Sequence, residues 1–582
     1  MREASTPSRH PRAWRLLALL LTFGLVAAAC GDDSGDGGDG GGDGEGEGAI
    51  TSTTVESDVD EVTTGGTVVV ALEAETNNWQ PGVGSFSNPG TNVARAIYDT
   101  IAARGADGEI YPYLAESIEP NEDLTEWTVT LREGIEFHDG TPLNAAAVER
   151  NFAVISADDS NLLGVLAQVE EFRVDDELTY TYVLAEPNVA FPDYLTGATG
   201  MPFSPDAYDA NPDGFGDEPV GAGPFQFVSW TRDNEIRLEK NPNYWRTDAN
   251  GNQLPYLDEL IFRPIPDEDS RFASVEAGDA QVGQTLRQSF VRRAREAAEN
   301  GNMQTFEAIG NNGGGAIFNT LRPPVDDVRV RQAMAHAIIQ EDLIEILGGT
   351  GITPPQTQYF SPDSPWFSQE VADAWPQHDP ERAQELLNEY INDPNRSDGK
   401  AVGEPVSVEF NTPPDPSLIL TSQGYESMWR AVGIDVTLNS VEQAEHIQNA
   451  IGADADPPFS GNYMINIWRM GANEDPYITL EAAFGPWESE PTNFTNYTSD
   501  NVQEQLNVLA TSTEFEERYA AVESIMMEFT EQIPNTWTAG TATALYADNA
   551  VRNLAGWTIP GDVQGDGVMN STVYWSEVWL EE

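Results

Sequence analysis

Apolar and polar side chains alternate along several short segments in the first half of the chain, and this pattern predicts β-strands. The β-branched run Thr67–Leu72 predicts a buried strand, while residues 127–131 and 179–183 alternate apolar with polar side chains. Residues 236–238 predict a further strand because the turn sequence Asn241-Pro242-Asn243 follows them. The first half of the chain is therefore expected to be rich in sheet.

Apolar positions at steps of three and four residues predict helices in the second half. One helix should begin after Asp327 and close at Gly348, a second should begin at Asp379-Pro380, and a third should stop at Pro534. Their apolar stripes are Val330, Met334, Ala337 and Ile338; Ala383, Leu386, Leu387 and Tyr390; and Tyr519, Val522, Met526, Phe529 and Ile533. Together these patterns predict a mixed α/β protein.

The first 30 residues are organised like a lipoprotein leader. Four arginines precede an apolar run, residues 16–29, that is too short to span a bilayer, and Ala27-Ala28-Ala29 leads into Cys30, the only cysteine. This arrangement resembles a bacterial lipobox, in which the cysteine is acylated and the chain is cut before it. We expect a signal peptide over residues 1–29 and a lipid anchor on Cys30, with an ordinary secretory signal as the alternative.

Residues 30–64 should form a tether. Residues 31–48 are almost entirely Gly, Asp and Glu, and residues 51–64 continue in polar side chains. Such a segment cannot bury enough apolar surface to offset the entropy lost on ordering. We expect it to be disordered and to hold a folded body near the membrane.

Composition limits the partners of that body. The 582 residues include 40% hydrophobic side chains with 14 Trp and 23 Phe, which indicates folded domains, and the net charge is -67. A surface with this much negative charge repels phosphate backbones and anionic lipid headgroups. Nucleic-acid binding is therefore not expected. We interpret the acidity as a solubility adaptation or as the result of a compositional bias that favours Arg over Lys. A surface that captures cations is the alternative.

Cofactor and metal signals are missing from the sequence. The five histidines have no metal-ligand spacing, and no Gly-x-Ser-x-Gly or phosphate loop with its lysine is present. One cysteine also excludes a disulfide within a monomer. We expect no cofactor, no metal and no enzymatic activity, although a hydrolase using two of the many carboxylates stays open.

Five segments carry a family resemblance. Residues 127–143, which follow Leu114-Ala115-Glu116-Ser117, are similar to the signature of family 5 extracellular solute-binding proteins, the peptide- and nickel-binding components of ABC importers. The remaining four resemble further landmarks of that family in the same order: Gly221-Ala222-Gly223-Pro224-Phe225, Lys240-Asn241-Pro242-Asn243-Tyr244-Trp245, residues 327–333 and residues 379–383. The resemblance extends from Gly65 to the C-terminus.

The resemblance implies a two-lobed α/β fold of the large periplasmic-binding-protein type, with a hinge that the chain crosses twice. The crossings are expected near residues 286–288 and 540–544. Lobe one would comprise residues 65–287 and 541–582, with an inserted subdomain at roughly 90–215, and lobe two residues 288–540.

The same resemblance implies a substrate-binding lipoprotein of an ABC importer. A monomer outside the cytoplasm, on the periplasmic face or the cell surface, would close its lobes around a peptide or similar polar solute and deliver it to a membrane permease. A ligand-sensing module for a signalling partner is the second alternative. The resemblance does not identify the solute.

The resemblance also suggests where the solute binds. Peptide-binding relatives use a Trp-x-Ala-Asp-like segment of lobe two whose acid pairs with the ligand's amino terminus, but here Gly471 or Ala472 stands at the acid's position. A peptide with a free amine is therefore in doubt, unless Glu474 replaces the charge. The candidate ligand-binding residues are Phe86, Ser87, Asn88, Gln284, Asn311, Phe318, Asn319, Trp468, Arg469, Asn473 and Asp475.

Overall fold

The computed structural model describes residues 62–581, with gaps at 158–159, 471–474, 489, 491 and 569–570, and leaves out the side chains of 310–312 and 470. The predicted signal peptide, Cys30, nearly all of the tether and Asn473 lie outside the described residues, as does the side chain of Asn311.

The described chain contains strands in both halves. They are β1 (Thr67–Leu72), β2 (Ala102–Arg104), β3 (Ile110–Pro112), β4 (Ala115–Pro120), β5 (Glu126–Leu131), β6 (Val169–Val174), β7 (Thr179–Leu184), β8 (Phe225–Thr231), β9 (Glu235–Lys240), β10 (Glu259–Pro264), β11 (Val282–Thr285), β12 (Gln304–Phe318), β13 (Ser407–Thr412), β14 (Asp435–Ser440), β15 (Ile465–Met470), β16 (Gly540–Ala547), β17 (Val551–Arg552), β18 (Thr558–Ile559), β19 (Val563–Gln564) and β20 (Trp579–Leu580).

The α-helices are concentrated in the second half. They are α1 (Asn88–Ile97), α2 (Ala145–Ile155), α3 (Leu163–Leu166), α4 (Phe191–Tyr194), α5 (Pro205–Ala210), α6 (Glu268–Glu276), α7 (Gln288–Glu299), α8 (Val328–His336), α9 (Gln340–Ile346), α10 (Gln369–Ala374), α11 (Pro380–Ile391), α12 (Pro416–Ala431), α13 (Gln443–Ile451), α14 (Pro476–Phe484), α15 (Asp500–Thr511) and α16 (Phe515–Gln532). Two short 3₁₀ helices, Ala198–Gly200 and Pro212–Gly214, complete the set in the described residues.

The predicted α/β class and the four predicted strands are confirmed, and one helix prediction is wrong. The expected single helix after Asp327 breaks into α8 and α9, because the Trp429 indole N–H donates to the Met334 carbonyl at 3.1 Å. A continuing helix would pair that carbonyl with the N–H of Ile338, which instead donates to Ala335.

One mixed sheet runs through the molecule. Its ten strands lie in the order β14-β13-β15-β12-β16-β11-β1-β10-β9-β8, while β4, β5, β7 and β6 form a separate antiparallel sheet. Within the large sheet, β10, β1 and β11 are parallel to one another, and so are β14, β13 and β15. Parallel strands lie buried between helices, which explains the continuous apolar run of β1.

The sheet supports two large hydrophobic cores. The first core draws its buried residues from 68–306 and 545–578, and the second draws them from 316–537. The four-stranded sheet has its own core from residues 101–222. Because the two large cores share no buried residue, the molecule has two centres of packing joined by the sheet.

Strand β12 runs from the first core to the second. Its first part pairs with β16 up to Ile309, its last part pairs with β15 from Gly313, and the pairing register shifts between these two residues. Phe306 packs in the first core, whereas Phe318 packs in the second. The predicted crossing at 540–544 falls within β16, and the one predicted at 286–288 falls where α7 begins.

Three of the family landmarks meet at one carbonyl group. The Gly223 oxygen lies 3.0 Å from the His138 Nε2 and accepts a hydrogen bond from the Asn241 amide at 3.1 Å. A Cβ at Gly221 or Gly223 would lie within 2.6 Å of the Ile97 backbone, so only glycine fits this turn. His138 is therefore a hydrogen-bonding turn residue, and the landmarks fix the end of α1.

Candidate functional site

The carboxyl ends of β10, β1 and β11 lie at the same border of the sheet, which we call the first edge. The residues that follow these strands carry charge: Glu268 opens α6 after β10, Glu73 follows β1, and Arg287 precedes α7 after β11. In sheets with parallel strands, ligands bind in the crevice outside the carboxyl ends. The first edge is thus a candidate ligand surface.

Two arginines share one acid at the first edge. Arg271 is fully buried, its Nη2 lies 2.6 Å from the Glu268 carboxylate, and its Nε donates to the Gln284 carbonyl at 2.7 Å. The Arg287 Nε lies 3.5 Å from the same carboxylate, but 61% of the Arg287 side chain is exposed. Arg271 is therefore part of the structure, while Arg287 presents its guanidinium to solvent.

Glu73 is one of three residues at the first edge, with Glu268 and Gln284, that have an enclosed oxygen without a hydrogen-bond partner among the described residues. In Glu73 this oxygen is Oε2. Burial raises the pKa of Glu73, and the charges of Arg271, Arg287 and Arg469 oppose that rise. An enclosed carboxylate oxygen that accepts no hydrogen bond lowers the stability of the folded state, because the oxygen has lost its water partners without gaining a protein donor.

The carboxyl ends of β14, β13 and β15 form a second border, which we call the second edge. Arg469, the penultimate residue of β15, donates from Nη2 to Asp415 at 3.2 Å and to the Ser417 hydroxyl at 2.9 Å. Burial would raise the pKa of Asp415, but Arg469, Ser417 and the N–H of Leu418 hold it below its usual value. Because Asp415 also caps α12, it fixes Arg469 to a rigid element.

The two edges face each other. β11 ends at Thr285, which pairs with Ala544, and β15 ends at Met470, which pairs with Gly313, so both sets of carboxyl ends point toward the segment of β12 and β16 that joins the two cores. The space between them, which we call the gap, is therefore bordered by charged groups from both halves of the sheet.

An aromatic wall adjoins Arg469. The Trp468 ring stacks on the His446 ring with centroids 5.3 Å apart, and Phe494 packs against it at 4.6 Å. The His446 Nε2 lies 3.2 Å from the Ile467 carbonyl, and burial lowers the pKa of His446 to about 4, so the imidazole is neutral at pH 7. Trp468 is thus held on a neutral, packed support and remains half-buried itself.

The two halves also touch away from the sheet. The Val189 N–H donates to the Ala510 carbonyl at 2.8 Å, which joins the segment after β7 to α15. Nearby, Asp475 caps α14 and accepts two hydrogen bonds from Arg518 Nη2, at 2.7 and 2.8 Å. These contacts bring the four-stranded sheet region against the helices of the second core.

The structure brings only some of the candidate residues to the gap. Trp468 and Arg469 lie at the second edge, and Asp475 begins the next helix. Phe318 and Asn319 are fully buried in the second half, where the Asn319 amide donates to the Ser460 and Tyr463 carbonyls.

The remaining candidates lie on the first half. Phe86 packs on the first core, and Ser87 and Asn88 start α1. Gln284 is fully buried at the end of β11, its amide donates to the Ser571 hydroxyl at 2.8 Å, and its Oε1 has no hydrogen-bond partner among the described residues. Whether these residues contact a solute stays a prediction.

Sequence reasoning missed the charged residues of the first edge and Asp415. Glu73 directly follows the buried run of β1, and Asp415 follows the end of β13 by three residues. A charged residue just after a buried strand is the signal that could have identified them.

Neither a membrane span nor a metal cluster is found within the described ranges. No helix there is long and apolar enough to cross a bilayer. No group of three His, Cys, Asp or Glu side chains there is arranged to hold a metal ion.

Solved structures share this fold. The ABC transporter-associated periplasmic binding protein DppA of Helicobacter pylori, in complex with the peptide STSA, matches with a TM-score of 0.70 at 21% identity, over 89% of this chain and 99% of that one. NikA of Brucella suis, in complex with Fe(III)-EDTA, matches with a TM-score of 0.70 at 18% identity, over 89% of this chain and 100% of that one. At these identities the likeness establishes the fold.

Sequence comparison places the chain in a family. A glutathione-binding protein, GsiB of Salmonella typhi, is 28% identical over 305 residues, which cover 51% of this chain and 56% of that protein. The chain thus matches just over half the length of this curated relative. The model of the bacterial extracellular solute-binding proteins, family 5, middle region, matches residues 109–491, about two thirds of the chain. The chain belongs to the family 5 bacterial extracellular solute-binding proteins.

Proposed function

We propose that the protein is the substrate-binding lipoprotein of an ABC importer, which captures a peptide or similar polar solute between two lobes and delivers it to a membrane permease. The observation that carries this proposal is the gap, because the carboxyl ends of β11 and β15 point toward each other where β12 and β16 join the two cores. A solute in the gap contacts both edges only when they are close, so binding and closure are coupled.

The lobes are assigned from the two expected hinge crossings, and the first core continues past the first crossing to Phe306. Residues 65–287 and 541–582 make up lobe one, with an inserted subdomain at roughly 90–215, and residues 288–540 make up lobe two. The register shift between Ile309 and Gly313 supports a pivot within β12, beside the start of β16 at Gly540. Bending at these two positions would move the edges without breaking either core.

The protein acts by binding and not by catalysis. Glutathione, a peptide and a chelated metal are named with its relatives, which supports a solute-carrying role without fixing the cargo. The working unit is a monomer, because one pair of edges completes one gap.

Cys30 anchors the protein outside the cytoplasm. Acylation of this cysteine, followed by a tether with a root-mean-square reach of roughly 30–35 Å, keeps the lobes near the permease. Replacing Cys30 with Ser should release the protein from membranes, as measured by fractionation. Persistent membrane association of that variant would refute the anchor.

Two measurements test solute capture. Mass spectrometry of the purified, undenatured protein should reveal a small polar molecule that co-purifies with it. Small-angle scattering should then show a smaller radius of gyration with that molecule than after its removal. A verified bound solute with unchanged scattering would contradict closure.

A further inference from the structure

A segment of lobe one contacts a helix of lobe two outside the gap. Under the boundaries proposed above, residues 188–190 follow β7 in the inserted subdomain and lie against the C-terminal end of α15. There the Val189 N–H donates to the Ala510 carbonyl at 2.8 Å. Val189 packs on the core of the four-stranded sheet, whereas Leu509 is fully buried in the second core. The hydrogen bond therefore joins two bodies that are packed around different cores.

The donor side of this contact is held in place by its own lobe. The Asn188 carbonyl, which belongs to the same peptide group as the Val189 N–H, accepts a hydrogen bond from the Trp127 indole at 3.1 Å. The Asn188 side chain donates to Gln168 at 2.8 Å and accepts from the N–H of Ala190 at 2.9 Å. Because all of these bonds stay within the subdomain, the Val189 N–H keeps its direction when α15 moves away.

The acceptor side is a carbonyl in the last turn of α15. A longer helix would pair the Ala510 carbonyl with the N–H of Glu514. Instead α15 ends at Thr511, and the Glu514 N–H donates to the Ser512 hydroxyl at 3.2 Å. The last carbonyls of a helix need donors from outside the helix, and Val189 provides one from the other lobe.

The contact is weak enough to open. A hydrogen bond of this kind changes an equilibrium by roughly two- to tenfold, because both groups bond to water once they separate. The core of the four-stranded sheet draws its buried residues from 101–222 and the second core from 316–537, so no shared core resists separation. A contact that is preformed on both sides and costs little to break can shift the balance between open and closed lobes.

Building on the closure proposed above, we propose that residues 188–190 of lobe one and the C-terminal turn of α15 in lobe two form a latch, a contact outside the gap that holds the lobes closed. Opening about the pivot in β12 and β16 separates the two sides and breaks the bond between Val189 and Ala510. Because the latch lies outside the gap, it stabilises the closed state by the same factor whatever the cargo is. The solute then determines whether the lobes close, and the latch slows their reopening.

Single-molecule energy transfer tests the latch through its hydrogen bond. Full-length Cys30→Ser protein with Glu170→Cys and Glu389→Cys carries one dye on each lobe, at two exposed positions. Val189→Pro removes the N–H that donates to Ala510, and Val189→Ala is the matched control because it shortens the same side chain and keeps the N–H. We expect Val189→Pro to need roughly fivefold more of the co-purified solute than Val189→Ala to close half of the molecules.

A cross-link provides a second test that needs neither a proline nor a solute. In solute-free, full-length Cys30→Ser protein with Val189→Cys and Ala510→Cys, a short bismaleimide should join the two lobes, as read by mass spectrometry of the digested protein. Small-angle scattering should give the joined protein a smaller radius of gyration than the same protein capped with N-ethylmaleimide, which blocks the contact without joining it.

The outcomes distinguish this inference from the proposed function. If Val189→Pro is folded by thermal unfolding and closes at the same solute concentration as Val189→Ala, the bond does not hold the lobes and the inference is wrong. If the bismaleimide fails to join the lobes, or joins them without compaction, the inference is equally wrong. If Val189→Pro does not fold, the cross-link decides. In every case compaction of the unmodified protein with the co-purified solute still decides whether the protein captures cargo by closing.

Discussion

The first and second edges have the same strand arrangement but hold their charges differently. At the second edge, Asp415 fixes Arg469 against α12, and Asp475 holds a further arginine in the neighbouring helix. At the first edge, Glu268 is shared by two arginines, and Glu73 has an enclosed oxygen with no partner in the described chain. The charged groups of the second edge are held by other side chains, whereas the first edge has enclosed carboxylate oxygens, of Glu73 and Glu268, without a hydrogen-bond partner in the described chain.

Under the function proposed above, this difference would make the binding site both rigid and selective. Groups fixed in advance lose little entropy on binding, and an unmet acceptor penalises any solute that cannot satisfy it. The following predictions test the contrast, beginning with the largest expected effect.

Removing the buried arginine of the first edge should have the largest effect. Arg271→Met leaves Glu268 without its closest partner and frees the carbonyls of Gln284 and Ile265. We expect a loss of roughly 3–5 kcal/mol in the free energy of unfolding, because breaking a buried ion pair leaves an uncompensated charge. Urea denaturation measures it, with the exposed Arg382→Met as control. A loss equal to that of the control would mean that Arg271 does not organise this edge.

The pH dependence of stability should have opposite signs for two buried residues, Asp99 and His446, which lie in different halves of the molecule. Burial raises the pKa of Asp99 near the first core from 3.8 to about 7, despite its 2.7 Å bond from Trp245. The folded state then binds the extra proton, so this residue's contribution to stability is complete below pH 3.8 and is lost as pH rises to 7. His446 behaves in the opposite sense, because its lowered pKa makes stability fall as pH drops from 6.5 to about 4.

Substituting Asp99 with Asn and His446 with Gln tests whether these two residues cause the expected pH dependence of stability. Asp99→Asn should remove the part of the pH dependence that lowers stability between pH 4 and 7, and His446→Gln should remove the opposing part. Urea midpoints across this range measure both effects. A variant whose pH profile matches that of the unmodified protein would contradict the corresponding assignment.

The aromatic wall of the second edge should contribute to affinity. Trp468→Ala removes the ring between His446 and Phe494, and we expect binding of the co-purified solute to weaken roughly tenfold, because a rigid aromatic surface is lost. Calorimetry measures this change. Phe515→Ala, an exposed aromatic of α16, should leave affinity unchanged. Equal effects of the two substitutions would place the solute away from Trp468.

Releasing Arg469 from its support should have the smallest effect. Asp415→Asn keeps a side-chain cap on α12 but removes the charge that holds the guanidinium. We expect a loss of about 1 kcal/mol or less in stability and a few-fold loss in affinity. An affinity loss as large as that of Arg469→Met would show that Asp415 contacts the solute directly.

Local signals in the sequence predicted several of the elements. Periodicity and capping residues located β1, β5, β7, α11 and α16, because these signals are local. They failed at α8, where the Trp429 indole, almost a hundred residues away, takes a helix carbonyl. Contacts that distant leave no periodic signal.

For the site, the family resemblance suggested Trp468 and Arg469 as ligand-binding residues of lobe two, which stays a prediction, and gave no indication of Glu73 or Arg287. Their importance depends on β1 lying parallel to β10, about 190 residues further along the chain, and to β11. Strand order of this kind is set by the packing of the whole core, so the sequence of a single strand does not predict which strands lie beside it.

Measuring the distance between the two lobes with and without solute tests most directly the central claim that the lobes close around it. Because Cys30 is the only cysteine, a full-length Cys30→Ser protein with cysteines introduced at Glu170 and Glu389 accepts one dye on each lobe. Single-molecule energy transfer should show a shorter dye separation with the co-purified solute than without it, and Arg469→Met should require more solute for the same change. An unchanged separation at saturating, verified solute would contradict closure of the two edges around the cargo.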